Sequence, residues 1–123
     1  MAALISVIVA TYNREDALEA VIRSLARQTD QDSEVVVADD GSAAATGQLA
    51  EAWKAKVGHR LEHVWHEDRG FRLAEIRNRA ILAARGDYCI FLDGREGFLL
   101  AVAIAEGSYY RYMKAWLQGR GRD

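Results

Sequence analysis

The stretch Glu34-Val-Val-Val-Ala-Asp-Asp-Gly-Ser42 decides the fold. Its apolar part is short, rich in β-branched residues and free of polar alternation, as a strand covered on both faces should be. It stops at two acids and a glycine, residues that turn a chain. The same pattern recurs on either side. Ile5-Ser-Val-Ile-Val-Ala10 runs into Thr11-Tyr12-Asn13, and Asp87-Tyr-Cys-Ile-Phe-Leu92 runs into Asp93-Gly94. A weaker strand is expected over Leu61–His66.

Between these strands the hydrophobic period changes. Asn13 is the expected N-cap of a first helix, with Glu15 and Asp16 in its first turn where the helix dipole favours acids. Leu18, Val21, Ile22 and Leu25 then recur at helical spacing, and the helix is expected to end near Gln28. A second helix is expected over residues 43–57, ending at Gly58. A third spans Arg72–Arg85, with Leu73, Ile76, Ala80, Ile81 and Ala84 on one side and Gly86 as its C-terminal stop. Strand alternating with helix predicts a mostly parallel sheet with right-handed crossovers, a Rossmann-like α/β domain.

Composition narrows the function classes. The chain has 123 residues, one domain's worth, with 16 Lys and Arg against 18 Asp and Glu. That balance argues against a nucleic-acid binder working by bulk electrostatics. The longest apolar runs, Leu4–Ala10 and Phe98–Ala105, fall far short of the roughly 18–20 residues that span a bilayer, so no transmembrane segment is expected. The N-terminus lacks the basic start of a signal peptide and reads as a buried strand, which predicts a cytoplasmic protein. The single Cys89 excludes an internal disulfide and reads as a small core hydrophobe. A strand turns His63 and His66 to opposite faces, which argues against a histidine metal cluster.

In an open parallel sheet, ligands sit beyond the carboxyl ends of the strands. Those ends carry Thr11-Tyr12-Asn13, Asp39-Asp40 and Asp93-Gly94, so three polar strand ends converge on one site. The glycine-rich G-x-G-x-x-G and G-x-x-x-x-G-K-[ST] loops that cradle phosphates are both absent. Carboxylates accept hydrogen bonds and repel phosphate, so Asp39 and Asp40 should face donors: sugar hydroxyls, or the N3–H of uracil or N1–H of guanine. A diphosphate would then need cations, and Arg69, Arg72 and Arg77 supply them.

Four motifs, Ser6-Val-Ile-Val-Ala-Thr-Tyr-Asn-Arg14, Asp39-Asp-Gly-Ser42, Glu67-Asp-Arg-Gly-Phe-Arg-Leu-Ala-Glu-Ile-Arg-Asn-Arg-Ala80 and Phe91-Leu-Asp-Gly94, occur in an order and spacing that resembles the family 2 glycosyltransferases of the GT-A fold. The resemblance runs from about Ile5 to Gly94. It implies binding of a nucleotide diphosphate sugar, often UDP-linked, and transfer of the sugar to an acceptor with inversion at the anomeric carbon. Thr11 and Tyr12 would line the base pocket, Asp40 would meet the base N–H beside Asp39, and Arg72 would approach the diphosphate. Arg77 and Asn78 match the helix motif beneath the site. Asp93 matches the first acid of the family's D-x-D motif, near the ribose and the Mn²⁺ or Mg²⁺ that the family implies. Two residues on, Arg95 stands where the ligating acid is expected, leaving one carboxylate beside a guanidinium, a poor cage for a hard cation.

Residues 1–94 thus read as the nucleotide-sugar-binding part of the fold. Residues 95–123 read as an atypical, helical segment completing the same domain, truncated relative to the family. Phe98–Ala105 is expected to cover the sheet. Tyr109, Tyr112, Met113 and Trp116 follow helical spacing and suggest a homodimer through this segment. Two functions stay open: sugar transfer to an unknown acceptor, or a non-catalytic nucleotide-binding or interaction module.

Overall fold

The computed structural model describes residues 4–28 and 32–93 and the strand Ala101–Ile104. The chain alternates β1 (Ile5–Thr11), α1 (Glu15–Ala26), β2 (Ser33–Asp39), α2 (Ala44–Lys54), β3 (Leu61–Trp65), α3 (Leu73–Ala83) and β4 (Tyr88–Asp93), followed by β5 (Ala101–Ile104). The sheet order is β3-β2-β1-β4-β5. The first four strands run parallel, and β5 pairs antiparallel with β4. Each strand and helix expected between residues 5 and 93 is present. For Ala101–Ile104 the expectation of a helical segment is corrected, because these residues extend the sheet. An alternating run of Ala and β-branched residues suits a strand better than a helix. The aromatic stripe at 109–116 and the homodimer expected through it lie outside the described residues.

The central strands β1 and β2 are covered on both faces, which explains their uninterrupted apolar runs, whereas β3 and β4 are mostly half-buried. On one face Ile8, Ala10, Val36 and Ala38 pack against Leu73, Ile76 and Ala80 of α3. On the other, Val7, Val9, Val35 and Val37 pack against Leu18, Val21 and Ile22 of α1 and Ala50 of α2. Period-two alternation along β1 and β2 sends successive residues to opposite cores.

The amino ends of the strands are tied by one buried carboxylate. Glu34 accepts from the Ser6 hydroxyl at 2.6 Å and the Arg85 N–H at 2.6 Å, and pairs with the Arg60 guanidinium. Burial alone would push its carboxyl up, but these hydrogen bonds and the cation outweigh it and hold it below the ordinary glutamate range. Gly86 belongs to this knot, which corrects its expected role as a helix stop. α3 already ends at Ala83, and Ala84 turns to extended backbone. A Cβ on Gly86 would sit 2.3 Å from Ser6 Oγ. Its lack of a side chain lets the returning chain reach β1, where the Gly86 N–H donates to Ser6 Oγ at 2.8 Å.

At the carboxyl ends the register is level. Thr11 aligns with Asp39, Asp39 with Trp65, and Ala10 with Asp93. Asn13 departs from its expected role as the cap of α1, whose N-cap is Arg14. Asn13 takes a left-handed φ of 48°, a conformation that asparagine tolerates better than most residues. Its N–H donates to Ser42 Oγ at 2.8 Å, and its Oδ1 accepts from the Ala43 N–H at 2.9 Å. It fastens the loop after β1 to the loop after β2, and so fixes the spacing of two strand ends.

Candidate nucleotide-sugar site

Parity and register set the fate of the two acids. Asp39 ends β2 and is fully buried. Its Oδ1 accepts from the Ser42 N–H at 2.9 Å, and its Oδ2 is 2.8 Å from His63 Nε2. Both contacts brace the turn after β2, and on that side Asp39 joins Ser42, His63 and Trp65 in lining a cleft of about 440 Å³.

Asp40 points to the opposite side, towards α3. Its Oδ1 lies 2.6 Å from His66 Nε2, and its Oδ2 accepts the Arg72 N–H at 3.0 Å. His66 is buried, and its Nδ1 has no partner among the described residues. The tautomer carrying its proton on Nε2 is therefore the one that leaves no N–H unpaired. Asp40 is clamped between an imidazole and the first turn of a helix, while each of its oxygens keeps a further lone pair.

Thr11 and Tyr12 stand beside this carboxylate. Thr11 is fully buried, and its Oγ1 has no partner among the described residues. Tyr12 is 38% exposed, and its hydroxyl donates to Asp68 Oδ2 at 2.7 Å. That hydrogen bond and the nearby negative charge raise the Tyr12 pKa, and the same bond, with the Gly70 N–H, holds the Asp68 carboxyl below its usual range.

The arginines divide between the two flanks of α3. Arg72, Glu75 and Arg79 share one flank. Arg72 donates to Glu75 at 2.9 Å and to the Glu67 carbonyl at 2.7 Å, and it lines a cleft of about 350 Å³ with Trp65, His66, Arg69 and Arg79. Burial would raise the Glu75 pKa, but Arg72 and Arg79 together hold it below the ordinary value. Arg69 is exposed and paired with Glu67. Arg77 lies on the other flank of the buried face, because residues five apart on a helix point in different directions. It is half-buried, with no hydrogen-bond or ion-pair partner among the described residues. Asp93 ends β4, in register with Ala10 and one residue short of Thr11.

The structure therefore brings Thr11, Tyr12, Asp40 and the backbone of Asp93 to one edge, sets Asp39 against the cleft on the other side, and places Arg72 and Arg77 on opposite sides of α3. Sequence reasoning missed His63, His66 and Asp68 as partners of this edge. Parity could have found the two histidines. With Val37 opposite His63 and Ala38 opposite Val64, His63 falls on the Asp39 side and His66 on the Asp40 side.

Among the described residues no group of three His, Cys, Asp or Glu could hold a metal ion. Asp93 is followed at the second position by the cation Arg95. No helix among the described residues is long and apolar enough to cross a membrane.

A mostly parallel sheet with its central strands covered on both faces, and with Thr11, Tyr12, Asp40 and the backbone of Asp93 at its carboxyl edge, defines an α/β domain of the GT-A type. Comparison with known proteins carries the assignment to a family. The Glycosyl transferase family 2 profile matches residues 6–94, and the chain belongs to that family. It is 39% identical over 92 residues to validoxylamine A glucosyltransferase of Streptomyces hygroscopicus subsp. limoneus, covering 73% of this chain and 20% of that protein. It superposes on S. aureus TarS 1-349 in complex with UDP-GlcNAc with a TM-score of 0.61 at 33% identity, covering 74% of this chain and 26% of that one. The mannosyltransferase PcManGT from Pyrobaculum calidifontis, in complex with GDP-Man and Mn²⁺, matches with a TM-score of 0.63 at 26% identity, covering 76% of this chain and 28% of that one. The chain thus spans 20–28% of the length of these three proteins.

Proposed function

We propose that this domain binds a nucleoside diphosphate sugar of the UDP type across the carboxyl ends of β2, β1 and β4, for transfer of the sugar to an acceptor in the cytoplasm. The carrying observation is Asp40, a buried carboxylate fixed by His66 and the Arg72 N–H beside the partly exposed Tyr12. A preset acceptor suits a base that presents a ring N–H, as uracil does and adenine does not. Thr11 and Tyr12 line the base pocket, and Asp93 lies at the ribose end. Arg77, half-buried and uncommitted among the described residues, meets the diphosphate more directly than Arg72, whose guanidinium is engaged by Glu67 and Glu75. TarS, with UDP-GlcNAc bound, supports a UDP-type donor.

The structural neighbour with Mn²⁺ supports metal use at the family level. For this chain we infer nucleotide binding that leans on its arginines, because Arg95 replaces a carboxylate with a cation. The same residue favours a second reading, a nucleotide-binding module without transferase activity. Calorimetry against UDP, GDP and ADP tests the site: UDP should bind and ADP should not, and equal affinity for the two overturns the assignment. Hydrolysis of UDP-sugars with and without Mn²⁺ separates enzyme from binding module.

A further inference from the structure

Three side-chain and backbone contacts converge on the connection between β3 and α3. His66 and the Arg72 N–H hold Asp40, and Asp68 holds Tyr12. Asp68 is itself oriented by its second oxygen, which accepts the Gly70 N–H at 3.2 Å. The connection rests directly on the turn after β2. Gly41 has a φ of +94°, and a Cβ there would lie 2.5 Å from Asp68 Cα. The bare Gly41 thus lets Asp68 come down beside the Tyr12 hydroxyl, 56 residues away in sequence.

We propose that Asp68 is a positioning residue of the nucleotide site, strapping the Tyr12 ring into the orientation in which it stacks on the base. The inference rests on the reading of Tyr12 as a wall of the base pocket. Asp68 touches no ligand and acts through the phenol. A free tyrosine at the end of a strand samples several rotamers and loses that freedom on binding. One anchored at its hydroxyl has lost it beforehand, while the residue stays 38% exposed. The raised Tyr12 pKa and the lowered Asp68 pKa keep the bond in its donor and acceptor forms through neutral pH.

The test uses the full chain with two probes, UDP and inorganic pyrophosphate, the second displacing UDP without engaging the base pocket. Asp68→Ala and Tyr12→Phe should each weaken UDP by roughly three- to tenfold, the size of one hydrogen bond. The double variant should be no weaker than either alone, and pyrophosphate affinity should stay at the parent level throughout. Equal loss of UDP and pyrophosphate in Asp68→Ala would show a general loosening of the site rather than a loss at the base pocket, and would overturn the proposal. So would fully additive losses in the double variant. Should Asp68→Ala unfold, Tyr12→Phe carries the test alone, since it keeps the ring and cuts the strap; parent-like UDP affinity in that variant refutes the idea. A parent chain that fails to bind UDP overturns the nucleotide reading itself, before any variant is compared.

Discussion

Replacing Asp40 by asparagine separates recognition from scaffolding at the centre of the site. In the parent, one carboxylate oxygen accepts a hydrogen bond from His66 Nε2–H and the other accepts one from the Arg72 N–H, at 2.6 and 3.0 Å. Asparagine offers one acceptor and one NH₂. If its oxygen keeps Arg72, the NH₂ faces His66 Nε2, which must then accept, and the imidazole proton moves to Nδ1. That nitrogen is buried without a partner among the described residues, so the shift creates an unpaired buried donor. The cost is about 1–3 kcal/mol of stability. Binding suffers separately, because the acceptor for a base N–H loses its charge. A charge-assisted hydrogen bond contributes about 1.5–3 kcal/mol, so UDP affinity should fall roughly ten- to a hundredfold. Urea denaturation reads the first effect. Calorimetry with UDP, at a temperature where both proteins are folded, reads the second. Asp39→Asn is the control: it breaks the bonds to Ser42 and His63 and should lower stability while leaving UDP affinity within about threefold. If Asp40→Asn binds UDP as tightly as the parent, the base pocket is elsewhere and the reasoning fails.

Restoring the missing acid with Arg95→Asp should create Mn²⁺-dependent UDP binding, whereas the unmodified chain should bind UDP equally in millimolar Mn²⁺ and in excess chelator; a large Mn²⁺ effect in the unmodified chain refutes this. Glu34 should dominate acid unfolding. Its folded carboxyl lies below its ordinary value, so its stabilisation is complete above the unfolded-state pKa of about 4.3 and drains as pH falls through the lower folded value. Urea midpoints from pH 7 to 3 should therefore drop more steeply in the parent than in Glu34→Gln, which starts less stable. Gly41→Ala should destabilise by about 1–3 kcal/mol, combining a strained positive φ with a clash against Asp68 Cα, and limited proteolysis should cut the 66–71 connection faster.

The fold was legible because burial on both sheet faces leaves a simple trace in composition. Val35, Val36 and Val37 are all fully buried, and no surface demand interrupts the run. The helices were legible from their buried stripes, but their ends were not. Asn13 looks like a cap in isolation and is recruited instead by Ser42 and Ala43, a contact across 30 residues that local reasoning does not see. Gly86 stands near a helix end, yet its requirement comes from Ser6. The site was legible as a set of strand ends, because parallel topology alone brings Thr11, Asp39 and Asp93 together. Which acid meets which histidine depended on register. Asp39 and Asp40 are adjacent and chemically identical, and only the pairing of β2 with β3 assigns one to His63 and the other to His66.

The first strand of the chain is also its innermost. β1 pairs with β2 on one side and with β4 on the other, across separations of 28 and 83 residues for Ser6 and its partners. A growing chain can form the β1–β2 pair early, but the second edge of β1 stays open until residues 88–93 have been made. The Glu34 carboxylate likewise waits for the Arg85 N–H, and Ser6 Oγ for that of Gly86. Half of this protein therefore has no stable resting state of its own, since closing the longest loop is a condition for burying the earliest charge. Synthesis, refolding and unfolding should each proceed as a single event across residues 5–93, and a chain stopped before Arg85 should present a sticky, half-paired sheet edge to whatever chaperone or protease meets it first.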